Sequence, residues 1–113
     1  MAAVQKISIH SGAVSGNTSG ASVSLEGLQT DYVGFVDVSA LGAGTTATIK
    51  IERSPNGSDW FDWISFSAVS AVGKQIKDAT APGLSYARML VSFVGGTTTA
   101  TITLSLHYDK KSK

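Results

Sequence analysis

The sequence contains no cysteine. Disulfides, thiolate metal sites and thiol nucleophiles are excluded together, so a small domain made from this chain must be held by its core or by neighbours in an assembly. Charge is scarce as well. Asp, Glu, Lys and Arg supply 15% of the residues, against roughly 25% in an average soluble domain, and Ser, Thr and Gly take their place. Residues 1–108 hold six basic and seven acidic side chains, while Lys110, Lys111 and Lys113 crowd the last four positions. With no basic stripe in the body, direct nucleic-acid binding through phosphates is not expected. No apolar run approaches the roughly 20 residues of a membrane-spanning helix. No apolar stretch follows Met1–Lys6 as it would in a secretory leader. The expected product is therefore made in a cytoplasm and meets no membrane.

What is present argues for order. Apolar residues make up 42% of the 113, too many for a disordered chain and enough for one core but not two. A single domain over residues 1–113 is expected, with a flexible Gly/Ser/Asn/Thr loop at 11–20 and a basic tail at 109–113.

The dominant pattern has a period of two. Ala100, Ile102, Leu104, Leu106 and Tyr108 share one face of a strand, and Thr99, Thr101, Thr103, Ser105 and His107 share the other. That is how an antiparallel strand reads with one face on a core and one in water. Ala47, Ile49 and Ile51 alternate with Thr48, Lys50 and Glu52 in the same way, and Ala87, Met89, Val91 and Phe93 define another inward set. Ile7 and Ile9 start the chain, and Ala21, Val23 and Leu25 suggest a further short strand. Tyr32–Ser39 is apolar on both faces apart from Asp37, as in a strand covered twice or near an interface. Residues 67–83 read best as an extended segment containing Gly73–Lys77.

Turn chemistry separates these runs. Ser54-Pro55-Asn56-Gly57 combines a proline that presets φ with an Asn-Gly pair that tolerates positive φ, so it predicts a hairpin. Leu41-Gly42-Ala43-Gly44 and Gly95-Gly96 predict two more. No helix of useful length and no internal repeat is seen. About eight short strands with Gly-rich turns indicate an all-β antiparallel β-sandwich, jelly-roll-like.

Chemistry is hard to find in this chain. Gly83-Leu84-Ser85-Tyr86-Ala87 approaches a nucleophile elbow, but the final Gly and the following helix are missing, so Ser85 reads as a strand residue. His10 and His107 match no metal-ligand spacing and read as surface residues; they could join Asp109 only if the terminal strands pair. The carboxylates Glu26, Asp31, Asp37, Glu52, Asp59, Asp62, Asp78 and Asp109 show no spacing of a paired acid and base. Phosphate-loop and dinucleotide fingerprints are absent. No catalysis, metal or cofactor is expected.

The aromatic residues are more informative. Trp60, Phe61 and Trp63 follow the Ser54–Gly57 turn within four positions. In a regular strand neighbouring residues face opposite ways, so at least one of these rings must leave the core or lie under a loop. Together with Tyr32 they are the candidate contacts for a partner or a ligand.

The strand-Ser-Pro-Asn-Gly-Ser-Asp-Trp-strand hairpin resembles the Ser-x-Asp-Gly-x-x-Trp turn of many phage virion β-sandwich proteins, and also discoidin-like carbohydrate-binding domains. Asn56 stands where that pattern usually has Asp. Tyr86–Val91, followed by Gly95-Gly96-Thr97 and a Thr-rich strand, is similar to the C-terminal half of the phage proteins. The resemblance runs from about Tyr32 to Tyr108. It implies a capsid decoration (cement) protein of a tailed bacteriophage, located on the virion surface, clamping neighbouring copies of the major capsid protein and itself forming a homotrimer. The alternatives it leaves are a carbohydrate-binding or host-adhesion module and a tail or connector protein.

Overall fold

Alternation becomes strand throughout the computed structural model, which describes residues 3–25, 31–80 and 86–110. The strands are β1 (Ala3–Ser15), β2 (Thr18–Ser19), β3 (Val23–Ser24), β4 (Tyr32–Leu41), β5 (Thr46–Ser54), β6 (Phe61–Ser65), β7 (Gly73–Ala79), β8 (Tyr86–Val94) and β9 (Thr99–Lys110). The described residues contain no helix.

Two antiparallel sheets form, one in the order β1-β9-β4-β7 and one in the order β2-β8-β5-β6. One side of β8 is taken by β5 along its whole length, so β2, opposite Leu90 and Val91, and β3, opposite Tyr86 and Ala87, share its other side. Nine strands thus fill eight places. Apart from β2–β3 and β5–β6, every connection passes from one sheet to the other. This is a jelly roll, the double Greek key that closes two sheets over one core.

The core lies where the alternation puts it. Ile49 and Ile51 from β5, Met89 and Val91 from β8, and Ile102 and Leu104 from β9 are all fully buried, joined by Val36, Val38, Ile64, Phe66 and Leu106. On the outward side of β4, Val33, Phe35 and Asp37 are half-buried.

Three local readings differ from the sequence expectation. The loop expected at 11–20 is mostly strand, because Ser11–Ser15 pair with Thr103–Thr99 of β9 and Thr18–Ser19 pair with β8. Backbone pairing with a long neighbour outweighs the weak strand preference of Gly and Ser. Ala21 is exposed and outside β3, whereas Leu25 is buried. In the basic tail, Asp109 and Lys110 complete β9 opposite Val4 and Ala3, and 111–113, like Ser85, lie outside the described residues.

The Gly turns also divide into two kinds. Asn56-Gly57 makes a true hairpin between β5 and β6. The turns at Gly42–Gly44 and Gly95-Gly96, expected as hairpins, instead carry the chain between sheets, from β4 to β5 and from β8 to β9. These two corners lock together: Gly42 N–H donates to Thr99 O at 2.7 Å, and Thr97 N–H donates to Ala43 O at 2.9 Å. A Cβ on Gly42 would overlap the Thr97 carbonyl, and one on Gly96 would overlap the backbone of Ala43 and Gly44. Close backbone approach is the reason for glycine at both places.

Side chains close the side of the sandwich between the edge strands β6 and β7. Trp63 Nε1–H donates to Thr80 O at 3.2 Å, Lys77 Nζ to Ser65 O at 2.9 Å, and Gln75 Nε2 to Ser67 O at 3.0 Å, while Ser67 N–H donates to Gln75 Oε1 at 3.0 Å. The rungs run in antiparallel order, as a ladder in which side chains replace one strand's backbone. It occupies backbone groups that an open edge would offer to another chain.

Candidate functional site

The hairpin after β5 is built before it is used. Ser54 Oγ accepts from Asn56 N–H at 3.2 Å and Gly57 N–H at 2.8 Å, and donates to Asn56 Oδ1 at 3.1 Å. Asn56 Oδ1 also accepts from the N–H groups of Ser58 and Asp59, both at 2.9 Å, and Asn56 Nδ2 donates to Asp59 Oδ2 at 2.8 Å. An aspartate at 56 could supply the acceptor but not the donor. Gly57 takes φ +81°, the left-handed conformation that such a turn needs.

This turn delivers the aromatic run, and a β-bulge sorts it. Glu52 lies opposite Asp62 and Ile51 opposite Ile64, so Trp63 is an extra residue in β6. A bulge lets successive side chains depart from strict alternation. Ile64 is buried and Trp63 packs against the core beside it.

The four candidate residues therefore do not form one surface. Trp60 precedes β6 rather than opening it and lies half-buried under the Arg88 guanidinium, whose carbon is 4.3 Å from the ring centroid. Arg88 Nε donates to Glu52 Oε1 at 2.8 Å, and Glu52 is only 8% exposed. Phe61 is 55% exposed. Tyr32, a candidate for contact with a partner or a ligand, is 1% exposed and belongs to the core. It occupies an inward position of β4, and its ring meets Trp63 edge-on at 5.5 Å and Tyr108 at 5.2 Å. The Tyr32 hydroxyl is buried with no hydrogen-bond partner among the described residues. Burial, with a smaller contribution from Tyr108, raises its pKa above the ordinary value of 10.0.

Tyr32 and Tyr108 also line a cleft of about 510 Å³ at one end of the first sheet, with Asp31, Val33, Asp78, Ala79, Thr80 and His107. Sheet register assembles it: Val33 lies opposite both Asp78 and His107, and Tyr32 opposite Ala79. Asp31 and Asp78 are exposed and His107 is half-buried. His107 Nε2 is 2.9 Å from Ser105 Oγ, and its ring meets Phe35 edge-on at 6.1 Å. Sequence reading missed this cleft because no motif carries it; Asp31, Asp78 and His107 are far apart in the chain. A second groove of about 330 Å³ at the other end, lined by residues such as Ala13, Leu41 and Thr101, has no titratable side chain among the described residues of its lining.

The terminal strands do pair, but His107 lies opposite Lys6 and His10 opposite Leu104. The His10 ring donates from Nε2 to Gly12 O at 3.2 Å. Among the described residues no three His, Asp or Glu side chains gather as a metal-holding group; the Asp109 side chain lies outside them.

The exposed apolar groups have their own distribution. Val72 is 60% exposed and Ile76 71% exposed. Ile76 lies opposite Phe35 on the outward face of β7, while its neighbours Gln75 and Lys77 reach across to the β6 side. With Phe61 at the start of β6 and Val72 in the β6–β7 connection, three of the four exposed large apolar side chains in the described residues border this one side. The fourth, Val94, sits at the β8–β9 corner.

Comparison of the chain with protein-family models and with curated proteins returns no match.

Proposed function

We propose that the chain is a structural virion protein of a tailed bacteriophage, one that decorates the capsid and clamps neighbouring capsid subunits. The observation that carries this reading is that Phe61 at the start of β6, Val72 in the β6–β7 connection and Ile76 on β7 are all exposed. Exposed apolar side chains concentrated on one side of a small domain mark a docking surface rather than scattered surface residues. Side-chain rungs already occupy the Ser65 carbonyl and both backbone groups of Ser67.

The jelly roll is compatible with this role, since viral capsid domains use it, as do lectins. The hairpin at Ser54–Trp63 supplies the resemblance to phage virion proteins. In this reading the partners are the major capsid protein and further copies of the chain in a homotrimer, the location is the capsid surface, and no catalysis or cofactor is involved. Scarce charge predicts a contact anchored by apolar groups more than by ion pairs.

The test is to add the purified protein to capsid shells that lack it, then measure occupancy and resistance to heat. Phe61→Ser and Ile76→Ser should each lower occupancy, while Val94→Ser at the far corner should not. Failure of the unmodified protein to bind shells rejects the clamp.

A further inference from the structure

We propose that Asn56 is a modification site, its carboxamide converted to a carboxylate by attack of the Gly57 amide, and that the bonds of the hairpin decide when this happens. The step is separate from docking on a shell. Glycine has no Cβ to shield its nitrogen, and Asn56-Gly57 is the one Asn-Gly pair in the chain; the other asparagine, Asn17, precedes Thr18.

The chemistry needs only water. The Gly57 nitrogen gives its proton to solvent and bonds to Asn56 Cγ. The Cγ–Nδ2 bond breaks, and Nδ2 leaves as ammonia, taking a proton back from solvent. One water then opens the cyclic imide. Opening at the side-chain carbonyl gives aspartate at 56, and opening at the main-chain carbonyl gives isoaspartate. Ammonia is lost, water is gained, and nothing is oxidised or reduced.

Two features of the folded hairpin oppose this step. Gly57 N–H donates to Ser54 Oγ at 2.8 Å, and a hydrogen bond made by the protonated form makes that proton harder to lose. The Asn56 carboxamide is also held at both ends. Its Oδ1 accepts from Ser58 N–H, Asp59 N–H and the Ser54 hydroxyl, and its Nδ2 donates to Asp59 Oδ2. Rotation of the carboxamide toward attack breaks these bonds. Asn56 and Asp59 are exposed, so water reaches the pair and it is the bonds, not burial, that withhold reaction.

Reaction is then limited by the fraction of time the hairpin is open. It is also one-way. The aspartate form loses the donor to Asp59 and sets two carboxylates together, and the isoaspartate form adds a methylene to the backbone of the turn. A modified copy therefore closes its hairpin less well, and Asn56 keeps a permanent record of opening.

The experiment incubates the full chain in mildly alkaline buffer beside a peptide of residues 52–62. Peptide mapping by mass spectrometry follows conversion at Asn56 and Asn17. Asn56 in the folded chain should convert at least about tenfold more slowly than in the peptide. Ser54→Ala and Asp59→Ala should each speed conversion in the folded chain by about threefold or more, with Asn17 unconverted throughout. Ser54 is fully buried, so its variant is open to misfolding; Asp59 is exposed, and unchanged hydrogen exchange in the β5–β8 pair shows that its variant is folded. The proposal is overturned if Asn56 converts as fast in the folded chain as in the peptide, or in neither. It is equally overturned if folded Asp59→Ala converts no faster than the unmodified protein, or if Asn17 converts ahead of Asn56.

Discussion

The Gln75 carboxamide meets the backbone of Ser67 with both its ends, accepting from the amide and donating to the carbonyl at 3.0 Å each. A glutamine here does what a neighbouring strand would do. Lys77 and Trp63 add the next two rungs, so this side of the sandwich is bridged by side chains.

Gln75→Ala should therefore lower stability by about 0.5–1.5 kcal/mol, the ordinary net value of such bonds at an exposed site. Chemical denaturation measures the loss. Faster hydrogen exchange at the Ser67 amide, with exchange in the β5–β8 pair unchanged, would place the effect at the seam.

Asn56→Asp should destabilise the hairpin by about 1 kcal/mol. The substitution removes the donor to Asp59 and sets one carboxylate against another where Asn56 Nδ2 now lies 2.8 Å from Asp59 Oδ2. In an Asp59→Ala background most of that loss should vanish, a coupling that a double-mutant cycle reads directly.

Arg88→Ala should cost more, about 2–3 kcal/mol, because it leaves the nearly buried Glu52 carboxylate without its cation and uncovers Trp60. Arg88→Lys should recover only part, since an ammonium cannot reproduce the planar guanidinium that stacks on the ring while bonding the carboxylate. Thermal melts of the three proteins order them.

Tyr32→Phe should cost less than the ~1 kcal/mol typical of a buried hydrogen-bonded hydroxyl, because no bond is lost. The same residue gives an alkaline signature. Its folded pKa is raised, so the unfolded chain releases this proton first, near the ordinary value of 10.0. The stability from the buried neutral phenol is fully present below that pH and falls as pH climbs toward the folded value. Denaturation above about pH 10 should show a shallower decline in Tyr32→Phe than in the unmodified protein.

Period-two alternation revealed most of the fold, because β5, β8 and β9 each bury one complete face. It failed where a residue's direction is decided by its neighbours. Residues 67–83 read only as an extended segment containing Gly73–Lys77, with no sign of the seam that draws Gln75 and Lys77 across and leaves Ile76 exposed. Trp63 could not be placed without the bulge. Gly42–Gly44 and Gly95-Gly96 look alike as hairpins or as corners, because glycine allows both and only the packing of one corner on the other distinguishes them. The candidate contacts were legible as an aromatic excess, but their separation into Arg88-covered, exposed and buried rings was not. Asp78 and His107 meet through two strand registers, and the sequence has no local mark of that meeting.

The place of β9 constrains how the protein can be born. It lies between β1 and β4, so β1 has no sheet partner until β9, far along the chain, is made. Until then the first sheet lacks its centre and exposes the apolar faces of β1 and β4. Pairing across nearly the full chain length favours slow folding and leaves partly made chains open to association. A nascent chain stalled before Thr99 should accordingly be protease-sensitive along its whole length, and release of β9 should protect both sheets in a single step.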